Sequence, residues 1–139
     1  MLVDSNVLVY ALNIDSPKNL AARKFLLKCN GNFCVAQQNI FETLRIVTHQ
    51  KFPKPMPISQ AVTEVNNIVG VGYVINPNPE TLQLAMKLLK RYHISGKKIF
   101  DGYLVATMVA NGESVIATDN EADFAQFAGI KVINLFAKS

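Results

Sequence analysis

The sequence predicts an α/β fold of three layers (α/β/α), a central parallel sheet of four to five strands lying between two layers of helix. Three observations lead there. Short apolar triplets alternate along the chain with longer segments of helical periodicity, which is the pattern of repeated strand–helix–strand units with right-handed crossovers. The first strands, Leu2-Val3 and Phe33-Cys34-Val35, are apolar without alternation, as strands covered on both faces are. Finally, 139 residues without an internal repeat, a low-complexity tract or a linker fit one domain spanning residues 1–139, long enough to bury a core without disulfides or a structural metal.

In chain order, Leu2-Val3 is a buried strand, and the run Val7 to Leu12 is apolar all round, as an interior helix is. Asp15-Ser16-Pro17 signals a turn and helix start, after which Ala21, Ala22, Phe25, Leu26 and Cys29 recur at helical spacing. Asn30-Gly31-Asn32 ends that helix ahead of the second strand. A third helix runs from about Gln38 to His49 on a stripe of Ile40, Phe41, Leu44 and Val47, with Glu42 off the stripe. The prolines at 53, 55 and 57 exclude regular helix there, and Ser59 is placed to cap a fourth helix whose apolar face is Ala61, Val62, Val65, Ile68 and Val69. Tyr73-Val74-Ile75 reads as the third strand. Asn78-Pro79 then opens a helix bearing Leu82, Ala85, Met86 and Leu89. After a basic loop containing Gly96, a helix spans about Phe100 to Asn111 and closes at Gly112. Ser114 to Ala117 is the fourth strand, Glu121 to Ala128 a short helix, and Lys131-Val132-Ile133 the fifth strand.

Composition narrows the function classes. Half the residues are apolar and 17% are charged, which excludes a disordered tail. No apolar run approaches the roughly 18 residues of a membrane span, and the start resembles no signal peptide, so a cytosolic location is the default expectation. Cys29 and Cys34, with no other cysteine, make no metal site and read as reduced core thiols. A net charge of +4 suits a polyanionic partner but does not by itself select one.

The functional signal lies in the acids. The chain has ten, and four of its five Asp sit where a solvated surface has no need of them. Asp4 interrupts an apolar run, and an ionised carboxylate there needs a partner or a cation. A strand that ends at Asp4 with a helix starting there puts the carboxylate at the carboxyl edge of the sheet, where ligands of open α/β sheets bind. Asp101 shares a helix face with Leu104, Val105 and Met108, although it also suits the helix dipole. Asp119 follows the fourth strand and equally fits a turn before the next helix. If strands one and four are neighbours, two carboxylates about 4 Å apart repel by roughly 4 kcal/mol at an effective dielectric of 20, and a cation removes that repulsion. Oxygen donors without Cys or His point to Mg²⁺ or Mn²⁺ rather than zinc. Glu42, with Arg45 three residues on, reads by periodicity as half of a surface pair.

Taken together, D-S-N-V-L-V-Y-A-L at the start, F-E-T-L-R around residue 42, F-D-G-Y-L-V-A-T at 100–107 and A-T-D-N-E-A-D-F at 117–124 resemble a PIN domain, and more narrowly the VapC-like toxin ribonucleases. The resemblance covers essentially the whole chain. It implies a compact α/β/α domain that cleaves RNA with clustered acids and Mg²⁺ or Mn²⁺. It also implies that Asp4, Glu42, Asp101 and Asp119 form the cluster, with Asp4, Asp101 and Asp119 as metal ligands and Ser5, Asn6 and Thr118 as polar support. Relatives often space the last two Asp more tightly than Asp119 and Asp123; Asp119 is preferred here because it directly follows the strand, with Asp123 its rival or a supporting group.

The implied mechanism is in-line attack of a metal-activated water on a phosphodiester. It requires neither His49 nor His93, which read as a helix-end residue and a loop residue. Arg91, Lys97 and Lys98, with Lys87 and Lys90, stand just upstream of Asp101 and offer phosphate contacts, or else a solvated basic face. A small antitoxin in the acidic groove and a homodimer are the partners that the resemblance implies, with the Ala61–Val69 helix and the proline loop as candidate dimer surfaces. Two other readings stay open: a PIN nuclease of RNA processing without an antitoxin, and a non-catalytic RNA-binding or scaffold module. An Asp-nucleophile phosphatase fits less well, because Asn6 stands where its second Asp would be.

Overall fold

In a computed structural model describing residues 1–137, five short strands form one sheet. They are β1 (Leu2–Val3), β2 (Cys34–Ala36), β3 (Tyr73–Ile75), β4 (Val115–Ala117) and β5 (Lys131–Ile133). Every pairing is parallel and the order is β3-β2-β1-β4-β5. The helices are α1 (Ser5–Leu12), α2 (Asn19–Cys29), α3 (Gln37–Val47), α4 (Ile58–Val69), α5 (Thr81–Arg91), α6 (Ile99–Ala110) and the single turn α7 (Glu121–Phe124). Both cysteines are free, Cys34 buried in β2 and Cys29 half-buried at the end of α2.

The pleat sends alternate side chains to opposite faces. Val3 and Val35 join a core with Val7, Leu8, Leu26 and Val65 from α1, α2 and α4. Leu2, Cys34, Ala36 and Ile116 join a second core with Leu104 and Met108 of α6 and with Phe124 and Phe127. The chain moves outward from β1 to β3 with α1–α4 on one face. It then jumps back across the sheet to β4 with α5 and α6 on the other. The reversal lies between β1 and β4, whose register pairs Leu2 with Ile116 and Val3 with Ala117. In an open α/β sheet this switch point leaves a crevice at the carboxyl ends of the strands.

Several local expectations shift. Asp15-Ser16-Pro17 forms turns rather than the first turn of α2, which begins at Asn19. Asn19 Nδ2 donates to the carbonyls of Tyr10 and Ala11 (2.8 and 3.1 Å) and so closes the end of α1. Ser59 lies inside α4, whose cap position is Pro57. Asn78 does not sit at the cap position of α5, but its Oδ1 accepts the Glu80 N–H at 2.9 Å and shapes the entry. The helix expected to reach Ala128 stops at Phe124.

The buried stripe of α3 is Asn39, Thr43 and Val47, with Phe41 turned outward, because the start of this helix packs on a polar partner rather than on the core. On α4 the inward residues are Ala61, Val65 and Val69, while Ile58 and Val62 face outward. On α5, Thr81 and Ala85 are buried while Leu82 and Met86 are exposed. Among the described residues no helix is long and apolar enough to cross a membrane.

Candidate active site at the carboxyl edge of the sheet

Asp4 follows β1 and is only 6% exposed. Its Oδ1 accepts hydrogen bonds from the Ser5 N–H (2.8 Å) and Asn39 Nδ2 (3.2 Å) and lies 3.4 Å from Ser5 Oγ, whose one proton has a nearer acceptor in Glu42. Its Oδ2 accepts from Thr118 Oγ1 (2.7 Å) and Asn6 Nδ2 (3.4 Å). Burial raises the carboxyl above its ordinary value, and the bonds from Thr118 and Ser5 pull the other way. Each partner is a donor here, an environment that suits the carboxylate.

The support is itself fixed. Asn6 Nδ2 also donates to Thr118 Oγ1 (3.0 Å) and Asn6 Oδ1 accepts the Asp119 N–H (3.2 Å), which sets the orientation of the amide. Asn39 is fully buried and its Oδ1 accepts the Ala36 N–H at 2.9 Å, tying the end of β2 to the start of α3.

Glu42, one turn into α3, is half-buried and faces the same edge. Ser5 Oγ donates to its Oε2 at 2.8 Å and Gln38 Nε2 to its Oε1 at 3.1 Å. The ion pair with Arg45 that periodicity suggested is not found among the described residues. Asp101, in the first turn of α6, is half-buried with its pKa pushed up to about 6. Burial is the largest cause, followed by the charges of Asp123, Asp4 and Glu42, and Lys98 acts in the opposite direction. Four segments distant in sequence therefore deliver Asp4, Glu42, Asp101 and Asp123 to one neighbourhood. Among the described residues no Lys, Arg or His stands within 4.0 Å of any of the four to pair with it.

Asp119 goes elsewhere. Past the end of β4, Thr118 points to Asp4 and Asp119 to the other side, as the alternation of an extended chain requires. Its Oδ2 accepts from Lys18 Nζ (2.5 Å) and the Tyr10 hydroxyl (2.7 Å), and the lysine holds its carboxyl below the usual range. Lys18 also lies 5.0 Å from the Tyr10 ring centre and 5.5 Å from that of Phe136, a cation over two aromatic faces. Lys97 and Lys98 are exposed in the 3₁₀ turn that leads into α6, and Arg91 lies over the Tyr92 ring at 5.3 Å. His49 Nδ1 accepts the Lys51 N–H (3.0 Å), and His93 stands in a left-handed turn, φ 52°.

The sequence reading missed Asn39, Gln38, Tyr10 and Lys18. For Asn39 one signal was present: with Thr43 and Val47 it marks a stripe at four-residue spacing on α3. Lys18 and Tyr10 reach their partner across more than 100 residues of chain, and nothing local announces that.

The donors are hard oxygens, and burial followed by neighbouring like charges opposes the ionisation of Asp101, so the chemistry fits a hard divalent cation. Among the described residues no three Asp, Glu, His or Cys side chains close tightly enough to hold an ion by themselves. Any such ion would therefore complete its shell with water or substrate oxygens, as Mg²⁺ commonly does.

Known proteins share this arrangement of chain. Ribonuclease VapC37 of Mycobacterium tuberculosis is 25% identical over 136 residues, 94% of this chain and 93% of that protein. Ribonuclease VapC24 of the same species is 27% identical over 135 residues, 94% and 92% of the two chains. A toxin-antitoxin complex from Klebsiella pneumoniae contains a chain of like fold, with TM-score 0.69, 16% identity and 97% coverage of both chains. The family model of the PIN domain matches residues 1–130. On that match, which takes in four of the five strands, the acids and their supports, the chain belongs to the PIN domain family.

Proposed function

We propose that this protein is a divalent-metal-dependent endoribonuclease and the toxin of a toxin–antitoxin pair. The observation that carries the reading is the meeting of Asp4, Glu42, Asp101 and Asp123 at the switch point without a side-chain cation to balance them. A structural role gives no reason to gather like charges in a half-buried crevice. The similarity to two proteins named ribonucleases and to a chain of a toxin-antitoxin complex supports the class.

In this reading Asp4, Asp101 and Asp123 would hold Mg²⁺ or Mn²⁺, and Asp123 replaces Asp119 as the fourth acid because Asp119 is engaged by Lys18 and Tyr10. The bound ion supplies Lewis-acid activation of water and stabilisation of charge at the phosphodiester. Ser5, Asn6, Asn39 and Thr118 hold the Asp4 carboxyl in place, and the bonds from Thr118 and Ser5 oppose the effect of its burial. Glu42, held at both oxygens by Ser5 and Gln38, orients the attacking water and accepts its proton. Lys97 and Lys98 attract the RNA backbone. An apolar groove of ≈ 460 Å³ between α1, α2 and α4, with Ile14, Leu27 and Val71 exposed along it, offers a seat for an antitoxin segment.

The test is cleavage of RNA by wild type and by Asp4→Asn, Asp101→Asn, Asp123→Asn and Asp119→Asn, with Mg²⁺ or Mn²⁺ and with chelator. The first three should lose on the order of 100-fold in rate, as when a charge-stabilising group is removed from an active site, and Asp119→Asn less than about tenfold. Equal activity with chelator would reject the metal dependence, and no effect at Asp4 and Asp101 would reject the acidic site.

A further inference from the structure

Next to the acids, between the starts of α3 and α6, lies a pocket of ≈ 310 Å³ whose walls include Gln38, Phe41, Pro77, Phe100 and Tyr103. Phe41 is 67% exposed and Phe100 62%, so two phenyl rings are offered to solvent beside a charged site. Exposed aromatic rings of this kind supply stacking surfaces for unpaired bases.

Gln38 joins the pocket to the acids. Its Nε2 donates to Glu42 Oε1 at 3.1 Å and to the Phe100 carbonyl at 3.0 Å. Its Oε1 is buried and has no donor. Reversing the amide does not relieve this, since the oxygen would then face two acceptors. The side chain is therefore an acceptor held ready for an N–H that the protein does not provide. Lys97 and Lys98 immediately precede Ile99 and Phe100, so phosphate-pairing cations, stacking rings, an unmet acceptor and the acids occur together.

We infer that this pocket receives one unstacked nucleobase of the RNA, next to the phosphate held at the acids, and reads it through an N–H bonded to Gln38 Oε1. The inference rests on the nuclease reading for the identity of the polymer. Oε1 is buried in the structure, so the bond requires the pocket wall to open as the base enters. Because the same amide holds Glu42, occupancy of the pocket also bears on the placement of the acid that handles water. A peptide or a second copy of the chain can cover apolar rings, but neither calls for the adjoining lysines and the unmet acceptor together.

The test begins with binding, without metal and without catalysis. Isotope-labelled protein is titrated with each of the four nucleoside 5′-monophosphates and with ribose 5-phosphate, following the Gln38 side-chain amide and the Phe41 and Phe100 rings by NMR. At least one nucleotide should shift all three saturably while ribose 5-phosphate does not, and Phe100→Ala should weaken that affinity about tenfold, the scale of one lost base–aromatic stack. A second arm maps cut sites in a random RNA pool. Wild type should show a base preference at one position beside the cut, and Phe100→Ala and Gln38→Met should flatten it.

Shifts at none of the three groups, or equal shifts with ribose 5-phosphate, would overturn the base pocket. So would a wild-type dimer that Phe100→Ala splits to monomers while nucleotides leave the pocket resonances unmoved, since the rings then belong to a contact between copies. Base binding without RNA cleavage would reject the nuclease reading and leave the pocket standing. Cleavage whose base preference survives both substitutions would do the reverse.

Discussion

Asp101 shows how much of the site's behaviour rests in one side chain. Its carboxyl, ordinarily near 3.8, titrates near 6 because burial and then the charges of Asp123, Asp4 and Glu42 oppose its ionisation. The folded-state value is raised, so the stability that this group contributes is fully present below about pH 3.8 and is lost as the pH rises through 6. Asp101→Asn should therefore stabilise the metal-free protein at pH 8 by about 1 to 2 kcal/mol, a figure reduced for the solvent that screens a half-exposed group. At pH 4 the difference should nearly vanish. Urea unfolding in chelator at the two values measures it, and a variant no more stable than wild type at pH 8 would mean that the acids do not repel. The sequence made Asp4 and Asp101 stand out, because a charge among apolar neighbours is a local contradiction. It could not show that Asp119 turns to Lys18, since strand alternation beyond β4 depends on where Thr118 docks. Asn39 and Gln38 stayed hidden for a related reason: an amide becomes informative only once its partners are known.

Among the elements, all five strands were legible as short, mainly apolar runs, whereas helix starts other than that of α7 drifted by one to three residues. Helix ends depend on capping, and here much of the capping is done from a distance, as when Asn19 closes α1. On α3 the expected stripe holds at Ile40, Leu44 and Val47, which pack on the core, and fails at Phe41, because apolar periodicity assumes an oily partner and this helix begins against Asp4. Two glycines show how tightly the elements are set. A Cβ at Gly72 would lie 2.5 Å from the Phe33 carbonyl oxygen, at the point where β3 joins β2 through the Tyr73 N–H. Backbone cannot step aside there, so Gly72→Ala should cost about 2 to 3 kcal/mol. A Cβ at Gly102 would come too close only to Leu89 Cδ2, at 2.8 Å, the end of a flexible side chain, with Ile94 Cδ1 in ordinary contact at 3.5 Å, while Ala favours a helix interior over Gly by about 1 kcal/mol. Gly102→Ala should therefore fall within about 1 kcal/mol of wild type. Thermal unfolding of the two variants decides it, and equal losses would mean that α5 cannot yield to α6.

At the scale of the whole molecule, the order β3-β2-β1-β4-β5 turns separated acids into one site, because β1 and β4 are neighbours whose connections leave on opposite faces. The chain carries +4 overall yet gathers acids at this edge, with Lys97 and Lys98 at its border. Lys97→Ala with Lys98→Ala should weaken RNA binding more at low salt than at high salt and flatten the salt dependence, by about 0.7 in slope for each lost contact with a single strand. Unchanged affinity at both salts would remove these lysines from the path of the RNA. The same crowding of charge predicts a reversal that no single-residue argument contains. In chelator at pH 8 Asp101→Asn should be the more stable protein, relieved of repulsion. A divalent ion stabilises only the protein that binds it, by about 2.7 kcal/mol at 100 times its dissociation constant, which exceeds the 1 to 2 kcal/mol that the variant gains. Adding Mg²⁺ or Mn²⁺ to that level should raise the melting temperature of wild type past that of the variant, whose own should barely move. Melting curves of both proteins across a metal titration display the crossing. Parallel curves that never meet would mean that the acids serve the fold alone, since a structural cluster has no ion to gain.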